Sequence, residues 1–343
     1  MPRIRNTNGA DTFFAFDSTS AVEFFIPPGS RGAGDDSVFG LDARDILHGG
    51  TGNDVLGGGL GFDELFGGAG NDFLDVGGFP SPSGDRNNLF GGDGDDRLQL
   101  EGGGLASGGD GSDTLIVRDG RATVDGGAGR DLLDLALDVN AILLVDLRKQ
   151  SFITETPLGR VVISGIEDLT ISGFTGEIIG SRKANSITGG DNGDTISGLR
   201  GKDVLDGGGG TDTIFGGAGA DRIGQQTVGS VNTVDGGDIY FGGAGEDVFV
   251  FTFAKHSPVS NPDTIGDFRS GVDKIDLSFF VMSVSPFNAF TWEFIGSDDF
   301  TDGNQLQFRN GQLRGELANG PAESFAVDLT GITTLRESDL ILM

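Results

Sequence analysis

Aspartate recurs at one fixed phase of this chain, always in the company of glycine. From Gly49 to Asp75 the sequence reads GGTGNDVLG, GGLGFDELF, GGAGNDFLD, three nine-residue units without a gap. Each carries glycine at positions 1, 2 and 4, Asp at position 6 and leucine at position 8. The carboxylates offer oxygen ligands. Glycine-rich turns add backbone carbonyls, because glycine accepts φ > 0 and lets another backbone come close. An oxygen-only set suits a hard divalent cation that takes about 6–8 ligands. Zinc is disfavoured, since two histidines and no cysteine cannot build its usual shell. Asp and Gly also close ordinary turns. Turn chemistry alone, however, does not demand the same phase in unit after unit.

The phase holds over three blocks. In the first, units start at Arg31, Gly40, Gly49, Gly58 and Gly67, which sets Asp36, Asp45, Asp54, Asp63 and Asp72 at position 6. Val38, Leu47, Leu56, Leu65 and Leu74 fill position 8. Candidate ligands from the turns are Gly49, Gly50, Gly52, Gly58, Gly61, Gly67, Gly68 and Gly70. Arg31, Leu41 and Ala43 replace glycines, so the two leading units are expected to bind weakly. Residues 76–90, with Pro80, Pro82 and Gly84, read as an inserted loop. The second block, 91–134, has full units at Gly91, Gly92, Gly94, Asp96; Gly108, Gly109, Gly111, Asp113; and Gly126, Gly127, Gly129, Asp131. Units without a position-6 Asp, 100–107 and 117–125, lie between them. The third block, 180–224, places Asn185, Asp194, Asp203, Asp212 and Asp221 at position 6, with Gly198, Gly201, Gly207, Gly210, Gly216, Gly217 and Gly219 in the turns. A last unit holds Gly242, Gly243, Gly245 and Asp247.

This nonapeptide resembles the RTX, or hemolysin-type, calcium-binding repeat. The resemblance implies an all-β fold: a right-handed parallel β-roll of stacked nonapeptide coils, closed by a C-terminal β-rich cap. Two units would make one coil, with position 8 pointing inward. Coils would stack at about the 4.8 Å strand spacing. Asp36, Asp54 and Asp72 would then share an edge, as would Asp45 with Asp63, Asp96 with Asp113 and Asp131, Asp194 with Asp212, and Asp203 with Asp221. The alternation in the second block confines its ligands to one edge. Bare carboxylates ~5 Å apart repel by roughly 3 kcal/mol at an effective dielectric of 20. Several Ca²⁺ ions between turns would reverse that sign, so the fold is expected to form on calcium.

The remaining segments complete this organisation. Residues 1–30 read as an N-terminal hairpin or cap, 135–179 as a β connector between roll blocks, and 251–343 as a C-terminal domain. The stretch DTIGDFRSGVDKIDLS, 263–278, and the ending Asp339-Leu-Ile-Leu-Met343 resemble the C-terminal domain of serralysin-type secreted proteins. In that family such C-termini are read by a type I secretion machine, which implies a secreted, extracellular protein. No signal-peptide core and no membrane-spanning apolar run precede it. A net charge of −29 argues against nucleic acid and anionic lipid as partners. With 27 Phe the chain has the means to bury a core.

Catalysis is not expected. The zinc-protease motif HExxH is absent: His48 precedes Gly-Gly and His256 precedes Ser-Pro. There is no G-x-S-x-G elbow. Both histidines read as surface residues. The alternatives are a polysaccharide lyase or epimerase, for which Tyr240, Arg148, Lys149 and Arg160 are the non-repeat candidates, or the remnant of an RTX enzyme. The reading preferred from sequence is a structural, adhesive or surface-matrix protein that meets cell-surface glycan or matrix.

Overall fold

The computed structural model describes residues 12–14, 23–24, 34–77, 86–118, 122–136, 142–148, 161–173, 175–224, 237–253, 256–278, 292–301, 303–316 and 324–342. The chain divides into two compact units, residues 1–173 and 174–343. Among the described residues there is no α-helix; one 3₁₀ turn, Glu337–Asp339, precedes the last strand.

In the first unit the chain alternates between two parallel sheets. One is ordered Thr12–Phe14, Ser37–Phe39, Val55–Gly57, Phe73–Asp75, Arg97–Leu100, Thr114–Val117, Leu132–Ala136, Asp168–Ser172. The other is ordered Glu23–Phe24, Ile46–Thr51, Glu64–Ala69, Arg86–Asp93, Gly103–Asp110, Ala122–Ala128, Val162–Ser164. Strand pairing is in register with the repeat. Position 8 therefore forms two columns: Val38, Leu56, Leu74, Leu98, Leu115, Leu133 and Leu169, and opposite them Leu47, Leu65, Leu89, Ala106, Val124 and Ile163. Every member is at most 3% exposed, so these two columns are the core of the roll. Inward-facing aliphatics at period two fit a strand buried on one side.

The turns need glycine for two reasons. Gly68 and Gly70 have φ of +121° and +125°, where an L side chain is strained. A Cβ on either would also run into the carbonyl of Gly50 or Gly52 in the coil before.

The second unit repeats the plan and then departs from it. One sheet runs Ser186–Thr188, Val204–Asp206, Arg222–Gly224, Val248–Val250, Lys274–Asp276, Leu340–Ile341. The other runs Thr175–Ile179, Thr195–Arg200, Thr213–Ala218, Ile239–Ala244, Asp263–Ile265, Phe325–Leu329. It continues into an antiparallel hairpin, Gln312–Glu316 with Gln305–Arg309. Here the columns change from aliphatic to aromatic: Ile187, Leu205, Ile223, then Phe249; Ile178, Ile196, Ile214, then Tyr240. Phe251, Phe268, Trp292, Phe308 and Phe325 are buried with them. The next rungs are aliphatic again, Ile275 against Phe249 and Ile265 against Tyr240.

Four expectations change. Thr12–Phe14 and Glu23–Phe24 do not pair as a hairpin. Each pairs in parallel with the next coil, because consecutive strands of a roll lie in opposite sheets. Arg86–Phe90 is not loop but strand, paired with Glu64–Phe66 through Asn88–Phe90. The segment read as a connector supplies coil strands, Val162–Ser164 against Thr123–Asp125 and Asp168–Ser172 against Leu132–Ala136. The roll also runs past Val250, through Asp263–Ile265 and Lys274–Asp276. Most of 1–30, and Lys149 and Arg160, lie outside the described residues.

Candidate metal centre

The position-6 carboxylates form ladders along the coil edges. In the first unit the backbone N–H of each donates to Oδ1 of its counterpart one coil on: Asp36 to Asp54 at 2.7 Å, Asp54 to Asp72 at 2.7 Å, Asp72 to Asp96 at 2.8 Å, Asp96 to Asp113 at 2.8 Å and Asp113 to Asp131 at 2.9 Å. Glu167 ends the series, accepting from Asp131 N–H at 3.3 Å. The two edges read as separate in the sequence, 36–54–72 and 96–113–131, are thus one ladder. The opposite ladder is shorter: Asp45 to Asp63 at 2.9 Å and Asp63 to Asn87 Oδ1 at 2.8 Å, followed by Gly104 in register. So Asp96, Asp113 and Asp131 do stand on one edge only.

The second unit has two more. One runs Asn185, Asp203, Asp221, Asp247, Asp273 and the other Asp194, Asp212, Asp238, Asp263, with N–H to Oδ1 distances of 2.7–3.2 Å. Sequence inspection missed Asn87, Glu167, Asp238, Asp263 and Asp273, which lack the full glycine pattern. One signal was available: each stands two residues before a buried apolar side chain, Leu89, Leu169, Tyr240, Ile265 or Ile275. A position-5 ladder was missed as well. Asn53 N–H donates to Asp35, Asn71 to Asn53, Asp95 to Asn71 and Ser112 to Asp95, running in the opposite sense along the roll.

From Asp54 to Asp131 along the long ladder Oδ1 is thus occupied; Oδ2 is the oxygen of interest. In Asp54, Asp72, Asp96, Asp113, Asp131, Asp203 and Asp221 this atom is buried and accepts no hydrogen bond. It lines a space kept open by the position-1 glycine of its own turn. A Cβ on Gly49, Gly67, Gly91, Gly108, Gly198 or Gly216 would strike both that Oδ2 and the position-1 carbonyl of the next coil. Two kinds of oxygen therefore border one cradle. Leaving a buried carboxylate oxygen unmatched is costly. Burial pushes the carboxyls of Asp54, Asp131 and Asp203 up to about 6, and those of Asp72 and Asp96 to about 7. The ladder N–H groups oppose the rise, and neighbouring carboxylates add to it.

These residues fit Ca²⁺. Among the described residues no three His, Cys, Asp or Glu side chains converge on one point, so a side-chain cage of the zinc kind is not what the turns build. A single carboxylate with backbone carbonyls is the donor set of a hard cation. The turns are not equal, however. Asp45 Oδ2 takes the N–H of Leu41 at 3.2 Å and Asp194 Oδ2 that of Gly190 at 3.0 Å. Leu41 and Gly190 sit at position 2 without the positive φ of Gly50 or Gly68, so their N–H groups turn onto the carboxylate.

The histidines hold structural contacts. His48 stacks on Phe66 at 4.6 Å, and Phe66 on Phe90 at 4.9 Å. His256 is 4% exposed, edge-on to Phe253 at 5.0 Å, which corrects its reading as a surface residue. Tyr240 is buried and donates to Asp238, and Arg148 is held by Asp146.

Two family models match the chain. The RTX calcium-binding nonapeptide repeat matches residues 32–56, 51–79 and 107–140. The domain described as peptidase M10 serralysin C terminal matches residues 161–342. No curated protein matches. Among solved structures, the AlgE6R3 subunit of the mannuronan C5-epimerase from Azotobacter vinelandii is similar at 24% identity, over 51% of this chain and 79% of that one, with a TM-score of 0.25. At that score the likeness says nothing about substrate. The repeats are calcium-binding repeats by sequence and by the oxygen cradles they build, and with more than half of its residues inside the second model the chain belongs to the serralysin C-terminal family.

Proposed function

We propose that this is a secreted RTX protein whose roll folds on extracellular Ca²⁺ and then serves a structural, adhesive or surface-matrix role without a catalytic step of its own. The carrying observation is the row of buried, unmatched Oδ2 atoms from Asp54 to Asp131. Bound at the turns, Ca²⁺ supplies the positive charge that these oxygens lack. The protein's part is to fix the ligands: Oδ1 is tied to the preceding coil, so Oδ2 is aimed at the cradle before any cation arrives.

Export by a type I machine fits the C-terminus in a specific way. Leu340–Ile341 is a strand paired with Ile275–Asp276. Asp339 is buried, accepting from Ser270 Oγ, Gly271 N–H and Arg336 N–H. Burial alone would raise its carboxyl, but these hydrogen bonds outweigh it and hold the group below the usual range. A tail so engaged is readable only from the unfolded chain. Cytosolic calcium, far below the ~10⁻⁴–10⁻³ M affinity of extracellular modules, keeps it unfolded until export.

Far-UV circular dichroism during a calcium titration from EDTA tests the folding claim. The β signal should rise cooperatively with calcium; a full signal already present in EDTA sinks it. Binding to cells or glycans with and without calcium tests the adhesive role, and turnover of alginate or pectate would overturn the non-catalytic one.

A further inference from the structure

The ladders of the second unit end differently from the way they begin. At Asp203 and Asp221, Oδ2 accepts no hydrogen bond. At the next rung, Asp247 Oδ2 lies 3.4 Å from Arg269 Nη2. That nitrogen also donates to Gly245 O at 2.5 Å and to Asp273 Oδ1 at 2.9 Å, while Nε reaches Asp273 Oδ2 at 3.2 Å. One guanidinium thus touches the carboxylates of two successive rungs and a turn carbonyl. The turn is filled in another way too. Residues 268–276 follow the repeat phase, with Gly271 at position 4, Asp273 at 6 and Ile275 at 8. Positions 1 and 2, however, are Phe268 and Arg269 instead of glycines. Phe268 is buried against Phe249 at 6.1 Å. The companion ladder is closed by its own donors: Tyr240 hydroxyl gives to Asp238 Oδ2 at 2.8 Å, and Asp263 N–H gives to Ser257 Oγ at 2.8 Å.

We propose that Arg269 is a resident counter-cation: its guanidinium takes the place of calcium between Asp247 and Asp273, so that the last coil of the roll closes without metal. This rests on the calcium-folding reading above and narrows it. The planar fork suits the task, since its donors are pre-arranged to meet several oxygens at once. Lysine would bring the charge but not the geometry. Asp247, a calcium ligand by its sequence phase, is then the last carboxylate of its ladder that needs a cation and the one that receives it from the chain itself.

Hydrogen–deuterium exchange of the full chain, read by mass spectrometry at pH 7.5, tests this. In EDTA the wild-type peptides covering 242–250 and 267–276 should stay protected, while those covering 49–75 exchange like unfolded chain. Arg269→Gln should speed exchange at 242–276 at least tenfold in EDTA, and Arg269→Lys should fall between. Exchange of 242–276 as fast as unfolded chain in wild-type EDTA samples, or no effect of Arg269→Gln, overturns the proposal. A second measurement does not depend on how the Arg269 variants fold. By flow dialysis, Asp221→Asn should lower the number of bound calcium ions and Asp247→Asn should not; loss of an ion in Asp247→Asn overturns it. Protection of 49–75 in EDTA would instead strike the calcium-folding reading, and the Arg269 comparison would still stand.

Discussion

Asp72 sits in the middle of the longest ladder, and its two oxygens have separable jobs. Oδ1 accepts the N–H of Asp54 at 2.7 Å. Oδ2 is buried, accepts nothing and borders the cradle kept open by Gly67. Asp72→Asn keeps the amide oxygen for Asp54 and removes the charge that would hold a cation. Asp72→Ala removes both. For a site of ~10⁻⁴–10⁻³ M affinity, saturation linkage contributes about 1.4–2.7 kcal/mol at 10 mM calcium and about 0.4–1.4 kcal/mol at 1 mM. The stability deficit of Asp72→Asn should therefore grow by about 1 kcal/mol between those concentrations. Asp72→Ala carries that same deficit plus about 1–3 kcal/mol for the buried Asp54 N–H left without a partner. This second part does not depend on calcium. Urea unfolding followed by far-UV circular dichroism at 1 and 10 mM calcium separates the two. A deficit of Asp72→Asn that stays constant across the two concentrations would refute the assignment of Oδ2 as a ligand. A calcium-dependent gap between the Asn and Ala variants would refute the structural role of Oδ1.

Three further outcomes follow from the same geometry. Gly67→Ala puts a methyl group against Asp72 Oδ2 and the Gly91 carbonyl, so the calcium midpoint for folding should rise several-fold in a titration while the secondary structure at saturation persists. Leu133→Ala opens a cavity between Leu115 and Leu169 and should cost about 2–5 kcal/mol in urea unfolding at saturating calcium. Acidification should act with opposite signs in the two metal states. Without calcium, the folded carboxyls of Asp72 and Asp96 titrate near 7, above their ordinary value of 3.8, so their contribution is fully present below pH ~4 and is lost as pH rises through about 7. The β signal in EDTA should then increase from pH 7.5 to pH 5. With calcium, protons compete for the same oxygens, and the calcium midpoint should move upward over that range.

Inside each block the fold could be read from spacing, because one inward leucine and one carboxylate per nine residues fix both strand register and ladder. Leu56 and Leu74 align with Asp54 and Asp72 as the phase requires. The sequence was opaque where the rung survives without its glycines. Asp263 has no glycine before it within its turn, yet it accepts from Asp238 N–H as any rung does. The bond that defines a rung needs only a carbonyl-type oxygen opposite a backbone N–H. Glycine is required by the cation cradle, not by the ladder. A search for the whole nonapeptide therefore finds the cradles and overlooks the rungs that extend them. It also could not foresee Arg269, whose role depends on the carboxylates of two coils meeting in space.

The ladder also explains why the repeat tolerates insertions. Successive rungs are 18 residues apart at Asp54 and Asp72, 24 at Asp63 and Asn87, 17 at Asp96 and Asp113, and 26 at Asp221 and Asp247. In all four the N–H meets the next Oδ1 at 2.7–3.0 Å. Register is thus set by strand pairing and not by the number of residues between rungs. Lengthening a flexible turn raises the closure entropy only logarithmically, by a few tenths of a kcal/mol for changes of this size. Deleting residues 79–84 should bring Asn87 back to the 18-residue spacing of its neighbours and leave Leu89 at position 8. The unfolding free energy from urea titration at saturating calcium should then match the wild type to within a few tenths of a kcal/mol. If the deletion abolishes the calcium transition, the inserted residues hold the coil together themselves, and the claim that pairing alone sets the register fails.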